Sequence, residues 1–329
     1  MSLTGMTESI DLLSRRPGDF YIEFRAVDRF LYRISDLYEL ESYVREDLLQ
    51  RLDKCHIYLI GKRPRLTLVP DSIQVDENVS FTVEYSLKGA KQQASIQIPR
   101  SDFPPDEVVF EASSYPHREL ITRAADGSIV GYTLLATMAH VMPSVEQEAQ
   151  DLEIVYIGKG LRFNAQDRLQ NHTTLQRILA EINSNDLDSE VFALVYSFKY
   201  LKNVLMLANN QPDLSEAARQ KRKATLQYRP TLEEQVSLTE AALISYFQPV
   251  YNSQYLDFPS RKHRLLSNVL NTDVAAIVVQ IDNVFIGDLR IYSPTIRPDT
   301  THHHVVDLRS LDGGQSLLSQ LPSERKRPI

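Results

Sequence analysis

The chain of 329 residues contains only one cysteine, Cys55. A single cysteine can form neither an intrachain disulfide nor a cysteine-based zinc cluster, and the lack of disulfides suits the reducing cytoplasm. The sequence also lacks any run of about 20 apolar residues, the length that a membrane-spanning helix requires. Residues 1–15 have neither the basic start nor the long apolar centre of a secretory signal peptide. We therefore expect a cytoplasmic protein without a membrane segment.

The sequence has no overall excess of positive charge. It contains 36 Lys and Arg residues against 43 Asp and Glu residues, which gives a formal net charge of −7. Such a balance is unfavourable for binding nucleic acid, because Lys and Arg must neutralise the phosphates. Local clusters matter more than the total charge, and three basic clusters are present. Their residues are Arg219, Lys221, Arg222 and Lys223; Arg261, Lys262 and Arg264; and Arg325, Lys326 and Arg327.

Each of these clusters has a plain alternative as a solvated surface run. The first two lie on either side of a helix predicted at residues 231–247, and this position favours contact with phosphate. The third lies at the extreme C-terminus, where we expect a flexible tail.

The order of apolar patterns and turn residues divides the chain into three segments. Residues 1–115 predict an α+β domain, and residues 116–262 predict a second domain with the order strand, strand, helix, strand, helix. Residues 263–329 predict a short β-containing extension with a flexible tail. The predicted helices are 37–52, 165–182 and 231–247. The predicted strands are 20–24, 65–69, 80–85, 93–98, 129–138, 152–157, 191–198, 274–281 and 284–292, the last two joined by a tight turn at Asp282-Asn283.

Two of the predicted helices carry charged side chains on faces that are otherwise apolar. Arg168 and His172 share a helix face that continues through apolar residues to Ile182, and Glu240 lies on the stripe of Val236, Leu243 and Phe247. A carboxylate on a core-facing stripe is costly unless it is paired, protonated or bound to a metal. One interpretation is therefore an internal ion pair between Arg168 and Glu240.

Four short motifs together resemble the active-site residues of the GIY-YIG endonuclease superfamily. They are Tyr156-Ile157-Gly158-Lys159; Arg168 with His172; Glu240; and Pro249-Val250-Tyr251-Asn252. Arg168 follows Tyr156 by twelve residues and Glu240 precedes Asn252 by twelve residues, and both spacings are similar to those of the family.

The resemblance implies a fold and a set of residue roles. The implied fold class is α+β, with a small antiparallel three-stranded sheet flanked by helices, and additional β-rich N- and C-terminal regions. Glu240 would bind one Mg²⁺ or Mn²⁺. A tyrosine, helped by His172 or Lys159, would activate or orient the attacking water. Arg168 would stabilise the negative charge that develops on the phosphate, and Asn252 would fix the geometry of the site.

The first motif of the family, Gly-Ile-Tyr, is not present as such in this sequence. The candidate for its tyrosine is Tyr132, within Ile129-Val130-Gly131-Tyr132. The resemblance predicts that the strand of Tyr132 pairs with the strand that ends near Tyr156.

The function implied is metal-dependent hydrolysis of DNA by a restriction or phage-defence endonuclease. With one site per subunit, cutting both strands would require a homodimer on DNA, and residues 1–115 would recognise the DNA target or a protein partner. Two alternatives stay open: a nuclease subunit of a multi-protein defence complex, and a catalytically silent nuclease-like module that binds DNA or protein. The expected DNA-binding residues are Lys159, Arg219, Lys221, Arg222, Lys223, Arg261 and Lys262.

Overall fold

The computed structural model describes residues 19–36, 45–104, 107–138, 142–160, 173–205 and 215–312. The helices are α1 (Glu46–Leu52), α2 (Leu135–Met138), α3 (Gln147–Gln150), α4 (Thr173–Asn185), α5 (Glu216–Gln227), α6 (Leu232–Phe247) and α7 (Ser267–Leu270). The strands are β1 (Asp19–Arg33), β2 (Ile57–Pro64), β3 (Thr67–Leu68), β4 (Gln74–Val75), β5 (Asn78–Leu87), β6 (Ala90–Pro99), β7 (Val108–Ala112), β8 (Glu119–Ala124), β9 (Ile129–Leu134), β10 (Leu152–Lys159), β11 (Ser189–Leu205), β12 (Val274–Asp282), β13 (Ile291–Ser293), β14 (Ile296–Asp299) and β15 (Thr301–Asp307).

Eight strands form one curved main sheet, in the order β14-β13-β10-β2-β11-β1-β12-β15. Strands β1 and β12 are parallel, as are β10 and β13, and the other neighbours are antiparallel. The edge strands β14 and β15 follow each other in the chain. The Nε2 atom of His302 on β15 lies 3.1 Å from the carbonyl oxygen of Ile291 on β13. The two edges therefore approach each other, and the main sheet is nearly closed and barrel-like.

The predicted fold class is wrong. In place of a small antiparallel three-stranded sheet flanked by helices, the structure is mostly β and is organised by the eight-stranded mixed sheet. The sheet grows because β1 pairs with β11 and β12 pairs with β1, and each of these pairings joins distant parts of the chain. Residues 1–115, 116–262 and 263–329 each contribute strands to it.

Helix α6 explains why the main sheet curves. Its buried residues lie on nearly all sides of the helix, and such a helix must be covered on all sides. The inner face of the sheet provides this cover through residues such as Phe24 of β1, Ile157 of β10 and Ile277 of β12. The buried apolar residues of α6 are Val236, Leu238, Ala241, Ala242, Leu243, Ile244 and Phe247.

The outer face of the main sheet is covered by α1 and α4. Helix α4 buries Leu175, Ile178 and Ile182 against Tyr58 of β2 and Val155 of β10. The middle of the main sheet is therefore buried on both faces, with α6 inside and α4 outside. Residues of β2 and β10 therefore pack against a helix on each face of the sheet.

Two smaller sheets lie between β2 and β10 in the chain, and we call residues 65–149 the inserted module. One sheet contains β3, β4, β5 and β6, and the other is β7-β8-β9. They share one apolar core, in which Phe81 of β5 packs with Phe110 of β7 and Leu120 of β8. Arg63, at the end of β2, is buried with its guanidinium 4.6 Å from the ring centroid of Phe192 on β11.

Several local predictions are confirmed. The helix at 231–247 is α6, and the strand at 274–281 is β12. The hairpin predicted at Asp282-Asn283 is wrong, because residues 284–286 form a 3₁₀ turn and β12 pairs with β1 and β15 instead. Among the described helices, none has both the length and the apolar character needed to cross a bilayer.

The N-terminus of α6 has a capping box that can be tested by mutation. The Thr231 hydroxyl accepts a hydrogen bond from the Glu234 amide at 3.2 Å, and the Glu234 carboxylate accepts one from the Thr231 amide at 2.8 Å. We expect Thr231→Ala to lower the free energy of unfolding by about 1 kcal/mol, measured by chemical denaturation. Thr231→Ser retains the acceptor oxygen and is the matched control. An equal loss in both variants would contradict a capping role.

Candidate active site

The motif residues that the structure describes meet at the end of β10. This strand pairs antiparallel with β2, so that Gly158 faces Tyr58 and Lys159 faces Ile57. Successive strand residues point to opposite faces of a sheet. Lys159 accordingly extends to α6 on the inner face, whereas Tyr156 packs in the outer cluster with α4. The end of β10 therefore presents one group of side chains on each face.

The inner group consists of Lys159, Ser237 and Glu240. The ammonium nitrogen of Lys159 lies 2.9 Å from Oε2 of Glu240 and 3.0 Å from the hydroxyl oxygen of Ser237. Ser237 and Glu240 are three residues apart on α6 and therefore share a helix face. The sequence alternative of a pair between Arg168 and Glu240 lies outside the described residues, and within them the partner of Glu240 is Lys159.

Glu240 is the buried acid of this group. The residue is only 9% exposed, and burial disfavours the charged form of a carboxyl group. Burial raises the pKa of Glu240 above its ordinary value, and the adjacent Lys159 charge acts against that rise. The lysine thus favours an ionised carboxylate at a position where an isolated one would be costly.

The outer group consists of Tyr58, Tyr156 and Gly158. The rings of Tyr58 and Tyr156 lie with their centroids 6.2 Å apart, and Tyr58 is fully buried while Tyr156 is half-buried. A Cβ atom added at position 158 would lie 2.5 Å from both Cζ and Oη of Tyr58. Glycine is therefore required at position 158 because the Tyr58 ring occupies the space of a side chain.

Asn252 bonds the edge of β10 that does not pair with β2. Its side-chain nitrogen donates to the carbonyl of Ile157, and its side-chain oxygen accepts from the amide of Ile157, both at 2.9 Å. One residue earlier, the amide of Tyr251 donates to the carbonyl of Val155 at 3.1 Å. The segment after α6 therefore bonds to β10 as a neighbouring strand would, and it holds the end of β10 in place.

The structure places Tyr132 away from this site. Tyr132 lies on β9, which pairs with β8 in the inserted module, and it is 57% exposed. The prediction that its strand pairs with the strand of Tyr156 is wrong, since β10 pairs with β2 and β13. Among the described residues, the ring of Tyr58 contacts the ring of Tyr156.

Sequence reasoning missed Tyr58 because the inserted module separates it from Tyr156 in the chain. The available signal was the tripeptide His56-Ile57-Tyr58, which matches Gly-Ile-Tyr in its last two residues. It lies at the start of β2, most of whose residues are buried. Two other predicted residues, Arg168 and His172, lie outside the described residues, and helix α4 is described from Thr173 onward.

One basic residue of α5 has a packing role. Arg222 is buried, its Nη1 atom lies 3.5 Å from Asp273, and its guanidinium lies 5.2 Å from the ring centroid of Phe20. It therefore anchors α5 to the main sheet. The other predicted DNA-binding residues of α5, exposed or half-exposed, are Arg219, Lys221 and Lys223.

The second basic cluster is at the surface after α6. Arg261 and Lys262 are both exposed, and Nε of Arg261 donates to the carbonyl of Leu311 at 3.0 Å. The side chain of Arg261 is thus tied to the C-terminal end of the described chain, whereas Lys262 extends from the same surface.

The inner group offers one carboxylate, that of Glu240, to a divalent metal. Within the described residues no set of three or more His, Cys, Asp or Glu side chains is grouped as a metal site. Mg²⁺ does not need such a set, because it keeps several waters and is often bound through one or two carboxylates together with substrate phosphate oxygens. Glu240 therefore fits as a single carboxylate ligand, and the described residues offer no all-protein cage.

Comparisons with models of protein families, with curated proteins and with solved structures found no match. The function of the protein must therefore be inferred from the arrangement of its own residues.

The contact between Gly158 and Tyr58 predicts a strong coupling between the two positions. We expect Gly158→Ala to displace the tyrosine ring and to lower the free energy of unfolding by about 1–3 kcal/mol. In a Tyr58→Ala background the same substitution should cost much less, because the ring atoms are gone. Denaturation of the wild type, both single variants and the double variant measures the coupling. Equal costs in the two backgrounds would rule out shared space.

The ion pair of Lys159 and Glu240 predicts a pH-dependent loss of stability. Lys159→Met leaves the buried carboxylate without its counter-charge, and we expect a loss of about 1–3 kcal/mol at neutral pH. The pKa of Glu240 is higher in the folded state than its ordinary value of 4.5. The protonated form of Glu240 therefore stabilises the fold when the pH is below 4.5, and this contribution is lost as the pH rises through the folded-state pKa. The loss should therefore shrink at low pH and grow as the pH rises through the folded pKa.

The control for this prediction is the double variant Lys159→Met with Glu240→Gln. It removes both charges, so its stability should change little between low and neutral pH compared with Lys159→Met alone. Thermal unfolding at several pH values measures both proteins. A pH-independent loss in Lys159→Met would mean that the lysine contributes packing and no charge pairing.

Proposed function

We propose that the protein is a metal-dependent endonuclease that hydrolyses DNA phosphodiester bonds at the end of β10. The observation that supports this most is the meeting of residues from β2, β10 and α6 at one strand end. Lys159 and Glu240 lie on one side of Gly158, and Tyr58 and Tyr156 on the other. The side chain of Lys159 is partly exposed and that of Glu240 is mostly buried. Replacing such a pair by apolar residues is often neutral or stabilising, so the presence of the Lys159–Glu240 pair favours a chemical role.

The inner group supplies the electrostatic part of this proposal. Glu240 would hold Mg²⁺ or Mn²⁺, which when bound polarises a phosphate oxygen and lowers the barrier to attack by water. Lys159 favours the ionised carboxylate, and its ammonium, 2.9 Å away, can also bind a phosphate oxygen of the substrate. Ser237 holds the lysine in position through its hydroxyl.

The outer group supplies the orientation of water. Tyr156 is half-buried and so can reach solvent, whereas Tyr58 is fully buried and packs against the Tyr156 ring. In this proposal Tyr156 hydrogen-bonds the attacking water, and Asn252 keeps the end of β10 rigid. Arg168 would stabilise the phosphate charge and His172 would help to activate the water, as the family resemblance implies for both.

Contact with DNA would extend from Lys159 along the main sheet to α5. Arg29, Tyr196, Ile57 and Lys159 are cross-strand neighbours in one row, and α5 packs at the other end of β1. Phe20, which contacts Arg222 of α5, is nine residues from Arg29, and this separation corresponds to about 30 Å along a strand. This is close to one turn of DNA, about 34 Å. The DNA-contacting residues would be Lys159, Arg219, Lys221, Lys223, Arg261 and Lys262.

The biological setting of the proposal is restriction or phage defence in the cytoplasm. Cutting both strands with one site per subunit would require a homodimer on DNA. Residues 1–115, which include much of the inserted module, would recognise the target or a protein partner. The nuclease would alternatively act as one subunit of a multi-protein defence complex, with the partner supplying part of the DNA contact.

One observation favours a second candidate function. The Glu240 carboxylate faces Lys159 on the inner face of the sheet, whereas Tyr58 and Tyr156 pack on the outer face. A nuclease-like module that binds DNA or protein without cleaving it would retain both groups as separate packing contacts. The two candidates differ in whether the purified protein cuts DNA.

The test is incubation of the purified full chain with supercoiled plasmid in Mg²⁺, Mn²⁺ or EDTA. We expect metal-dependent nicking or linearisation, and a fall of roughly 100-fold or more in Glu240→Gln and Tyr156→Phe. Glu233→Gln, an exposed acid in the first turn of the same helix, is the matched control and should cut like the wild type. DNA binding without cleavage by the wild type under every condition would favour the silent module.

A further inference from the structure

His56 lies immediately before β2 and is held at the same sheet end as the proposed site. Its backbone amide donates to the carbonyl of Tyr196 at 3.1 Å, and its carbonyl accepts from the amide of Gly160 at 2.9 Å. The Nδ1 atom of its ring lies 2.9 Å from the carbonyl oxygen of Gly160. Backbone and ring are therefore both fixed between the ends of β11 and β10.

The contact with Gly160 determines which ring nitrogen of His56 carries the proton. A carbonyl oxygen only accepts hydrogen bonds, so Nδ1 must be the donor. In the neutral ring the lone pair then lies on Nε2. Within the described part of the chain Nε2 has no hydrogen-bond partner, and the residue is only half-buried. The fold thus presents a fixed proton acceptor at this position.

This acceptor lies at the strand end of the proposed site, because the next residue, Ile57, pairs with Lys159. His56 and Tyr58 are two residues apart in the chain, with a Cα separation of about 7 Å. Tyr58 in turn contacts Tyr156. The residues across from His56 and Tyr58 are Gly160 and Gly158, and the Tyr58 ring fills the space over Gly158. His56 is therefore placed at the strand end to which the proposed function assigns the attacking water.

We propose that His56 is the proton acceptor for the attacking water, an inference that rests on the proposed nuclease function. As the water oxygen forms its bond to phosphorus, one water proton moves to Nε2 and the ring becomes imidazolium. The bond from phosphorus to the departing sugar oxygen breaks, and that oxygen takes a proton from solvent. The imidazolium then returns its proton to solvent, so the products are a phosphomonoester and a free hydroxyl.

A purely structural role for His56 would depend only on its hydrogen bond to Gly160. Asparagine can reproduce that bond, because its side-chain N–H group occupies a position similar to Nδ1–H of histidine, but it is not a base near neutral pH. His56→Asn therefore separates the structural role from the chemical role. His56→Gly removes both, and it leaves a space that a free imidazole molecule can occupy.

The experiment compares plasmid cleavage by the full-length wild type, His56→Asn and His56→Gly, with and without added imidazole. We expect His56→Asn to keep the melting temperature and DNA affinity of the wild type and to cleave roughly 100-fold more slowly or worse. Added imidazole should raise the rate of His56→Gly several-fold and leave His56→Asn unchanged. The matched control is His117→Asn, whose Nδ1 bonds the carbonyl of Ser113 in the inserted module, and it should cleave normally.

Three results would overturn the inference, and they can be told apart. Cleavage by His56→Asn within a few-fold of the wild type would leave His56 only a structural role. Loss of cleavage in His56→Gly without any rescue by imidazole would also exclude proton transfer to this ring. Absence of metal-dependent cleavage by the wild type would remove the proposed function itself, and the inference with it.

Discussion

The burial of α6 is the constraint on which the rest of the structure depends. A helix that is apolar on nearly all sides has no stable exposed face, so the main sheet must curve around it until its edges approach. Glu240 is on this helix and is buried with it. Because a buried carboxylate needs a partner, the helix also determines that a cation must lie at the facing strand end, and Lys159 of β10 is that cation.

Strand β10 connects the two groups of the candidate site. On one edge it pairs with β2, and on the other edge the Asn252 amide bonds Ile157. Since both edges are bonded, the strand end has little freedom, and the side chains it presents are held in one arrangement before any ligand binds. For the proposed hydrolysis such preorganisation would be an advantage, because much of the catalytic effect of an enzyme comes from groups already in position.

Most of the candidate site follows from local sequence patterns. Tyr156 and Lys159 lie on one strand, and Glu240 lies on a helix whose capping box and apolar stripe are legible in the sequence. Tyr58 could not be assigned in the same way, because strands that pair across an inserted module have no fixed separation in the chain. Arg222 shows a similar limit: its charge suggests contact with phosphate, yet only the packing against Phe20 and Asp273 reveals its role as an anchor.

By itself, the sequence determined α6 with its capped start, the strand of Tyr156 and the segment after α6 that places Asn252 twelve residues beyond Glu240. These features depend on interactions between residues that are near in the chain, and their periodicity is visible in the residues themselves. Tertiary structure alone decided that eight strands join in one sheet, that Tyr58 and not Tyr132 faces Tyr156, and that Lys159 pairs with Glu240. The physical reason is that the burial of the whole sheet around α6 selects which strands pair. The free energy of that burial depends on all the strands together and cannot be read from any single segment.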